Sequence, residues 1–350
     1  MIKRHQTKTV NIGPLTMGGT KEVLIQTMAK SRPSDFKKAL DEIHTYATEG
    51  AALVRFSVVD IDDAKALKTL KAKTNVPLVA DIHFDYKLAL EAIKSGVDKI
   101  RINPGNIGNL EHVRAILKLA KEHQTVIRIG INLGSLEKPM QEKYGKSAKA
   151  MVKSAEKYVG FFEENHFKDI VLSFKASDVK TTIEANMLAA KTFDYPLHLG
   201  LTEAGPTYQG TITSSAALGT LLYHGIGNTI RISLSSDRLD ELKACKTLLA
   251  SLDLCDYPKL ISCPTCGRLA YDMEPVLKEI EAYLEKHPTK LKIAVMGCAV
   301  NGPGEAKDAD IGIAGGKEEA LLFIKGKIVK KVPQHKLTQA LIEAIESYRS

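Results

Sequence analysis

The sequence predicts an α/β fold in which a (β/α)8 TIM barrel is followed by a smaller α+β domain. Eight β-rich runs alternate with helix-length segments between residues 23 and 250. The runs are almost continuously apolar, as expected of parallel strands that are buried on both faces. In addition, all five cysteines lie after residue 244, which sets the C-terminal part of the chain apart.

The expected strands follow one another at the spacing of β/α units. They are VLIQTM (23–28), LVRFSV (53–58), PLVADIH (77–83), KIRIN (99–103), VIRIGIN (126–132), IVLSFK (170–175), PLHLGLTE (196–203) and TIRISLS (229–235). The first intervening segment carries Phe36, Leu40 and Ile43 at helical spacing, and later helices begin at capping residues such as Asp178 and Ser214. An open doubly wound sheet is the alternative, but the Gly-rich turn that often follows its first strand is absent from the sequence.

The barrel is expected to occupy residues 1–250, and the second domain residues 260–350. Between them SLDLCDYPKL breaks the helical periodicity, which places a linker at 251–259. The expected elements of the second domain are a helix at 272–286, strands at 292–298 and 310–316, a hairpin around Lys325 and Gly326, and an amphipathic helix carrying Leu337, Leu341 and Ile345.

Composition and charge narrow the class of protein. The net charge is +8, from 49 Lys and Arg against 41 Asp and Glu, which suits nucleic acid, a membrane surface or an anionic small molecule. Trp is absent, so platforms for base stacking are few. No apolar run reaches the roughly 18 residues of a transmembrane helix, and the N-terminus lacks the apolar stretch of a signal peptide. We therefore expect a cytoplasmic protein that does not associate with membranes.

Charged and polar side chains occupy the ends of the expected strands, where barrel enzymes place their chemistry. They are Arg55, Asp81, His83, Arg101, Asn103, Arg128, Asn132, Lys175, His198, Glu203, Arg231 and Ser233. Residues two apart on a strand face the same side, so Arg101 points with Asn103, and Arg231 with Ser233. Pairing with neighbouring acids is the simplest explanation for one buried arginine. For five cations at one barrel mouth the acids are too few, and a ligand with several negative charges, such as a diphosphate, is the better explanation.

Two residues at these ends are candidates for catalysis. His83 follows Asp81 in DIHF, where it either binds a ligand or is held in place by hydrogen bonds. Glu203 is the carboxylate at the end of the seventh strand. The surrounding cations favour its ionised form unless a bound substrate reverses that preference. Glu203 is therefore the candidate for proton transfer.

The cysteines of the second domain predict a metal centre. Cys263 and Cys266 form a C-x2-C pair, and Cys298 follows at a strand end, seven residues before Glu305. Three thiolates fit either zinc or an iron–sulfur cluster, although a closed zinc site normally has four nitrogen or sulfur ligands. A [4Fe–4S] cluster with three cysteines leaves one iron for an oxygen ligand or substrate. Cys245 and Cys255 are expected to be structural.

These residues lie in motifs that resemble the family of 4-hydroxy-3-methylbut-2-en-1-yl diphosphate synthases. The motifs are ADIHF (80–84), RINPGNIG (101–108), RIGINLGSLE (128–137), KASDV (175–179), LTEAG (201–205), GIGNTIRISL (225–234), CPTCGR (263–268) and MGCAVNGPGEA (296–306). The resemblance extends over nearly the whole chain. Two departures are Leu133, where the family usually has a small polar residue, and AKSRPSDF (29–36), which replaces a Thr-rich stretch.

The resemblance implies the function and the roles of the residues. It implies a barrel with an iron–sulfur domain similar to those of sulfite and nitrite reductases, and two-electron reductive ring opening of 2-C-methyl-D-erythritol 2,4-cyclodiphosphate. Cluster ligands are implied at Cys263, Cys266, Cys298 and Glu305, proton transfer at Glu203, and an active-site role for His83. Substrate binding is implied for Arg55, Arg101, Asn103, Arg128, Asn132, Lys175, Arg231 and Ser233. Flavodoxin or ferredoxin is the implied electron donor, and a head-to-tail homodimer the implied assembly.

Two other interpretations fit part of the sequence. A pteroate-synthase-like barrel with a structural zinc domain would explain the basic barrel mouth but not the set of three cysteines and Glu305. An RNA-binding protein with a zinc module would explain the net charge. However, such a protein needs a basic surface stripe with aromatic residues, whereas the distinctive arginines fall at strand ends. We therefore expect a small-molecule ligand and no nucleic acid.

Overall fold

The protein consists of two compact units, Met1–Leu254 and Cys255–Ser350. The structure, a computed structural model, describes residues 2–20, 22–103, 105–299, 306–316 and 318–349. Within these residues no helix is both long enough and apolar enough to cross a membrane.

The first unit contains an eight-stranded parallel barrel, as predicted. Its strands are β3 (Leu24–Met28), β4 (Leu53–Val58), β5 (Leu78–Ile82), β6 (Lys99–Ile102), β7 (Val126–Asn132), β8 (Ile170–Lys175), β9 (His198–Leu199) and β10 (Thr229–Ile230). Neighbours pair in chain order from β3 to β8, and β10 pairs with both β9 and β3. A bridge between Leu172 and Leu197 joins the β8 side to the β9 side and so closes the barrel.

Helices connect consecutive strands and pack around the barrel. They are α1 (Phe36–Thr48), α2 (Ile61–Lys71), α3 (Tyr86–Lys94), α4 (Leu110–Glu122), α5 (Lys138–Tyr144), α6 (Ala148–Glu164), α7 (Val179–Thr192), α8 (Thr207–Tyr223) and α9 (Arg238–Ser251). Asp178 caps α7 through Thr181 N, as predicted. Ser214 does not cap a helix, since it is buried inside α8, which begins seven residues earlier.

An N-terminal hairpin that the sequence analysis did not predict covers one end of the barrel. Strands β1 (Thr9–Ile12) and β2 (Leu15–Gly18) pair antiparallel. Their side chains Val10, Ile12 and Met17 are buried in one cluster with the first or second residues of four barrel strands, among them Leu53 and Val126. The hairpin therefore closes the amino-terminal end of the barrel and leaves the carboxyl-terminal end for a ligand.

The second unit is a five-stranded sheet with helices. Its strands are β11 (Lys259–Ser262), β12 (Lys292–Met296), β13 (Ile311–Ala314), β14 (Glu319–Ile324) and β15 (Lys327–Pro333), in that order across the sheet. Strands β11, β12 and β13 run parallel, whereas β14 pairs antiparallel with β13 and with β15. Helices α10 (Met273–Lys286) and α11 (Leu337–Arg349) pack on it, and Leu337, Leu341 and Ile345 are buried as the sequence predicts. Strand β11, which begins at Lys259, was not predicted.

Candidate active site at the barrel mouth and the cysteine loops

The pairing of neighbouring strands brings the polar side chains together at the carboxyl end of the barrel. Asp81 lies opposite Arg101, and Arg101 lies opposite Arg128. Asn132 lies opposite Lys175 in the same way. Partners in register point to the same face, and for these strands that face is the barrel interior.

These side chains surround a cavity of about 280 Å³. Its lining residues are Arg55, Asp81, His83, Arg101, Arg128, Asn132, Ser173, Lys175, Leu201, Thr202, Glu203, Arg231 and Ser233. All residues predicted to bind substrate or to act in catalysis at the strand ends are among them, except Asn103. The Asn103 side chain is buried beside the cavity, where its Oδ1 accepts a hydrogen bond from Gly105 N at 3.1 Å.

Asp81 is the carboxylate at the centre of this cluster. Its oxygens lie 3.4 Å from Arg101 Nη1, 3.5 Å from His83 Nε2 and 3.8 Å from Arg55 Nε. Burial opposes ionisation of Asp81, but Arg55, the contact with His83 and Arg101 together hold its pKa well below the usual range. Asp81 therefore stays negative and offsets part of the charge of its neighbours.

His83 links Asp81 to the open side of the cavity. Its Nε2 lies 3.0 Å from Arg101 Nη1, closer than to Asp81. A guanidinium can only donate and a carboxylate can only accept, so the tautomer of the ring determines which of the two Nε2 pairs with. The side chain is 43% exposed, so the ring can also meet a ligand.

Within the part of the chain that the structure describes, several buried basic side chains in the barrel lack hydrogen-bond partners that would offset their charge. Lys99 Nζ, Arg128 Nε and both ring nitrogens of His198 are buried without a hydrogen-bond partner among the described residues. Burial, together with the charges of nearby arginines, lowers the pKa of Lys99, Arg128 and His198 below their ordinary values. The same causes lower the pKa of Lys175. An anion bound in the cavity would supply negative charge to Arg128 and Lys175, which line it.

Arg231 is held by a carboxylate that the sequence analysis missed. Glu241 of α9 is buried, and its Oε2 lies 3.4 Å from Arg231 Nη2. Glu241 also accepts hydrogen bonds from Arg238 and from Leu234 N. Burial and then Arg55 lower the pKa of Arg231 to about 10. The sequence signal was a glutamate in the first turn of the helix that follows strand eight.

Glu203 and Phe84 lie at the mouth in an uncommon backbone conformation. Their φ angles are +57° and +64°, in the left-handed region that side chains other than glycine rarely adopt. Such strain is found where the surrounding structure requires it, often at functional sites. At Glu203 it accompanies an exposed carboxylate on the cavity wall, and at Phe84 an exposed ring next to His83.

The loop after β3, where the sequence departs from the family pattern, contacts its neighbours rather than the cavity. Arg32 Nε and Ser34 Oγ donate to Asp63 Oδ1 at 3.1 and 2.7 Å. Lys30 Nζ donates to Asp237 at 2.8 Å. None of the residues of this loop lines the cavity in the described part of the chain.

Three cysteines of the second unit follow the carboxyl ends of two adjacent strands. Cys263 follows β11 and Cys298 lies close after β12, and Gly297 N donates a hydrogen bond to Cys263 Sγ at 3.1 Å. Hydrogen bonds from Arg268 lower the pKa of the exposed Cys266 thiol. By contrast, burial raises the pKa of Cys245 to about 12. The lowered pKa favours the thiolate form of Cys266, the form that metal ligation needs.

The proposed metal ligands do not form a closed set in the structure. Among the described residues no group of three His, Cys, Asp or Glu side chains is arranged to hold a metal ion. Glu305, the fourth predicted ligand, lies outside those residues, as do its neighbours 300–304.

Two family models match the chain. The model of the GcpE TIM-barrel domain matches residues 7–246, and the model of the GcpE protein C-terminal domain matches residues 259–347. A protein of Geobacillus kaustophilus (strain HTA426) is 51% identical over 348 residues, which are 99% of this chain and 93% of that one. A protein of Bacillus subtilis (strain 168) is 51% identical over 346 residues, 98% and 92% of the two chains. Both are named 4-hydroxy-3-methylbut-2-en-1-yl diphosphate synthase (flavodoxin).

Solved structures with a similar fold include two of low sequence identity. Dihydropteroate synthase from Stenotrophomonas maltophilia matches with a TM-score of 0.53 and 14% identity, over 70% of this chain and 98% of that chain. The Yersinia pestis enzyme matches with a TM-score of 0.51 and 14% identity, over the same shares. Similarity at this level of identity shows the fold alone and does not support the pteroate-synthase alternative. Since the family models and the 51% identical relatives cover almost the whole sequence, the chain belongs to the GcpE family.

Proposed function

We propose that the chain reduces 2-C-methyl-D-erythritol 2,4-cyclodiphosphate to (E)-4-hydroxy-3-methylbut-2-enyl diphosphate in isoprenoid biosynthesis. The reaction opens the cyclic diphosphate, consumes two electrons and two protons, and releases one water. The names of the relatives support this assignment. The observation that carries it is the cavity in which five cations meet, because a diphosphate supplies the negative charge that this barrel mouth lacks.

The cavity residues divide into groups with different tasks. Arg55, Arg101, Arg128, Lys175 and Arg231 hold the diphosphate by charge, while the side chains of Asn132 and Ser233 donate hydrogen bonds that fix its orientation. Asn103, which does not line the cavity, supports the substrate-binding loop by accepting a hydrogen bond from Gly105 N. Asp81 keeps two of the guanidiniums in place. His83, which is half exposed, contacts the substrate from the side of Arg101.

Glu203 is the proposed proton-transfer group. Glu203 lines the cavity and is exposed. Loss of a hydroxyl group as water requires an acid, and a positioned carboxylic acid can supply that proton.

Cys263, Cys266, Cys298 and Glu305 are the proposed ligands of a [4Fe–4S] cluster. The hydrogen bond from Gly297 N to Cys263 Sγ and the lowered thiol pKa of Cys266 fit such a group, since backbone N–H donors and thiolate ligands are usual at iron–sulfur centres. When bound, the cluster would supply the electrons and a Lewis-acidic iron. Its cysteine ligands require a reducing compartment, so we propose a cytoplasmic location.

We further propose flavodoxin as the electron donor, with ferredoxin as the second possibility, and a head-to-tail homodimer. The names of the relatives support flavodoxin. Exposed apolar side chains follow several strands at the barrel mouth, namely Val59 (63% exposed), Phe84 (73%) and Tyr208 (83%). They suit burial under the cysteine domain of a partner subunit. A nucleic-acid partner is not proposed, because the clustered arginines lie inside the barrel.

Anaerobic purification followed by iron and sulfide analysis and an assay with the cyclodiphosphate tests this function. We expect a brown protein with about four iron and four sulfide per chain and turnover with reduced flavodoxin. Cys298→Ser should lose the cluster, whereas the matched change Cys255→Ser should keep it. A colourless protein that holds one zinc after anaerobic reconstitution would overturn the proposal and favour the barrel with a zinc domain.

A further inference from the structure

One edge of the five-stranded sheet is strongly basic. Strand β15 forms this edge, and five consecutive residues at its start, Lys327–Lys331, are exposed. Three of these five are lysines, and the other two, Ile328 and Val329, are 55% and 56% exposed. Lys325 before the strand, and His335 and Lys336 after it, are also exposed. We call this surface, Lys325–Lys336, the basic edge.

The basic edge includes a shallow cavity between β15 and α11. It has a volume of about 230 Å³, and Lys330, Lys331 and Lys336 line it together with a single acid, Glu343. Lys331 forms an exposed ion pair with Glu319 at 3.7 Å, which contributes little. Lys330 and Lys336 have no ion pair among the residues that the structure describes. The surface therefore presents uncompensated positive charge to solvent.

The carboxyl end of the basic edge reaches the cysteine loops. Strand β15 runs in the same direction as β12. Strand β13 is parallel to β12, and the two antiparallel pairings from β13 to β14 and from β14 to β15 restore that direction. Directly after β15, Gln334 Nε2 donates to Ala270 O at 3.1 Å. Ala270 N donates to Gly297 O at 2.9 Å, and Gly297 N donates to Cys263 Sγ.

Strand β15 is the sheet edge opposite β11, so the basic edge approaches the cysteine loops from the far side of the sheet. Strands β12 and β15 are three strand spacings apart in the sheet order, which is roughly 14 Å at the usual spacing. A protein bound at the basic edge would lie beside the loops that hold the cysteines.

Protection of a free sheet edge explains part of this pattern. Lysines on an edge strand discourage pairing with other chains. That role does not require the exposed pair Ile328 and Val329, nor the cations Lys325 and Lys336 outside the strand. An apolar centre with a charged rim is instead the composition of a protein–protein interface.

We propose that the basic edge is the docking surface for an acidic electron-donor protein, flavodoxin in the assignment above. This inference rests on the proposed function and adds to it the place where electrons enter. Complementary charge would steer the donor to an edge whose carboxyl end contacts the cysteine loops through Gln334 and Ala270, and would speed association more than it raises affinity.

Paired charge reversals test the proposal in the holoenzyme. K330E/K336E removes two cations from the basic edge, and K118E/K121E makes the same change in net charge at two exposed lysines of α4 in the barrel unit. The Kd of oxidised flavodoxin and the kcat/KM with reduced flavodoxin are measured at several salt concentrations, and turnover is measured separately with dithionite. We expect K330E/K336E to raise the Kd of flavodoxin and to lower kcat/KM with flavodoxin, each by about tenfold or more. Both constants should also depend less on salt concentration than in the wild type. Turnover driven by dithionite should stay at the wild-type value.

The outcomes separate docking from function. Equal effects of the two double variants on flavodoxin would overturn the docking proposal, as would a change of oligomeric state in K330E/K336E, which would assign the edge to a second copy. No turnover with either reductant in the wild type would instead overturn the proposed function. If iron content shows that K330E/K336E does not fold, K330Q/K336Q serves in its place, with about half the expected effect.

Discussion

Charge imbalance at single residues characterises the barrel interior. Asp81 and Glu241 each contact a guanidinium, whereas Lys99 Nζ and Arg128 Nε have no hydrogen-bond partner within the described part of the chain. Burying a charge without a partner costs free energy. A polyanionic ligand offsets this cost, so the residues that bind substrate also destabilise the ligand-free barrel.

Lys99→Met tests this cost through the pH dependence of stability. Burial and the charges of Arg128 and Arg55 depress the pKa of Lys99 in the folded state. Above the pKa of Lys99 in the unfolded chain, about 10, Lys99 is neutral in both states and costs no stability. As the pH falls from there towards the folded-state pKa, the unfolded chain binds a proton that the folded state does not, and the free energy of unfolding decreases. We expect the ligand-free variant to be at least as stable as the wild type at pH 7 and to gain less stability between pH 6 and 9.

Urea unfolding midpoints over that pH range measure the effect. Lys118→Met, at an exposed position of α4, is the control and should keep the slope of the wild type. An undiminished slope in Lys99→Met would show that Lys99 does not carry this proton linkage.

Glu203→Gln tests the proposed proton donor. The amide keeps the size and polarity of the side chain but cannot donate the proton that removal of the hydroxyl needs. We expect turnover to fall by about 100-fold or more, with the Kd of the cyclodiphosphate within a few-fold of the wild type. Steady-state kinetics and calorimetry measure the two quantities, and Glu122→Gln at the exposed end of α4 is the control. Normal turnover in Glu203→Gln would remove Glu203 from the mechanism.

Residues on the strands could be predicted, whereas their partners on other elements could not. Alternation within apolar strands is enough to place Arg101, Arg128 and Arg231 on the inner face of the barrel. It does not identify Glu241, because that side chain reaches Arg231 from α9 through tertiary packing. The alternation also does not predict that Lys99 is buried, because a lysine at the first position of a strand is usually exposed.

At the scale of elements, the N-terminal hairpin determines which end of the barrel is open. Its strands are only four residues long and lie outside the repeating β/α pattern, so periodicity does not reveal them. Strand β11 was hidden for a similar reason, since its four residues lie next to the Asp- and Pro-containing segment expected to be a linker. Long strands such as β7 and β8 could be predicted to the residue because all of their residues except Asn132 are buried.

Ile12→Ala measures what the hairpin contributes. Ile12 is fully buried against the amino-terminal ends of the barrel strands. Its truncation leaves a cavity and should lower the free energy of unfolding by about 2–5 kcal/mol. The same change at Ile212, which is 53% exposed, should cost much less. Denaturant unfolding compares the two variants, and equal losses would mean that the hairpin does not stabilise the barrel.

At the scale of the whole molecule, the two proposed chemistries belong to different units. The anion-binding side chains lie in Met1–Leu254 and the cysteines at 263, 266 and 298 in Cys255–Ser350. Each unit has a core of its own, around Ile12 in the first and around Ile293 in the second. Ligands of the two sites should therefore stabilise different parts of the chain.

Inorganic pyrophosphate, which has the diphosphate group of the substrate without its reactive carbon skeleton, probes this separation. A ligand that binds only the folded state stabilises it by about 2.7 kcal/mol at 100 times its Kd. We expect pyrophosphate to slow hydrogen exchange of the barrel strands β5 to β8, with little change in β11 to β15. Arg128→Met should abolish this protection, since it removes a fully buried guanidinium from the cavity. Lys121→Met, on the outside of α4, should leave the protection intact. Equal protection of both units, or protection that persists in Arg128→Met, would mean that the anion binds elsewhere than at the barrel mouth.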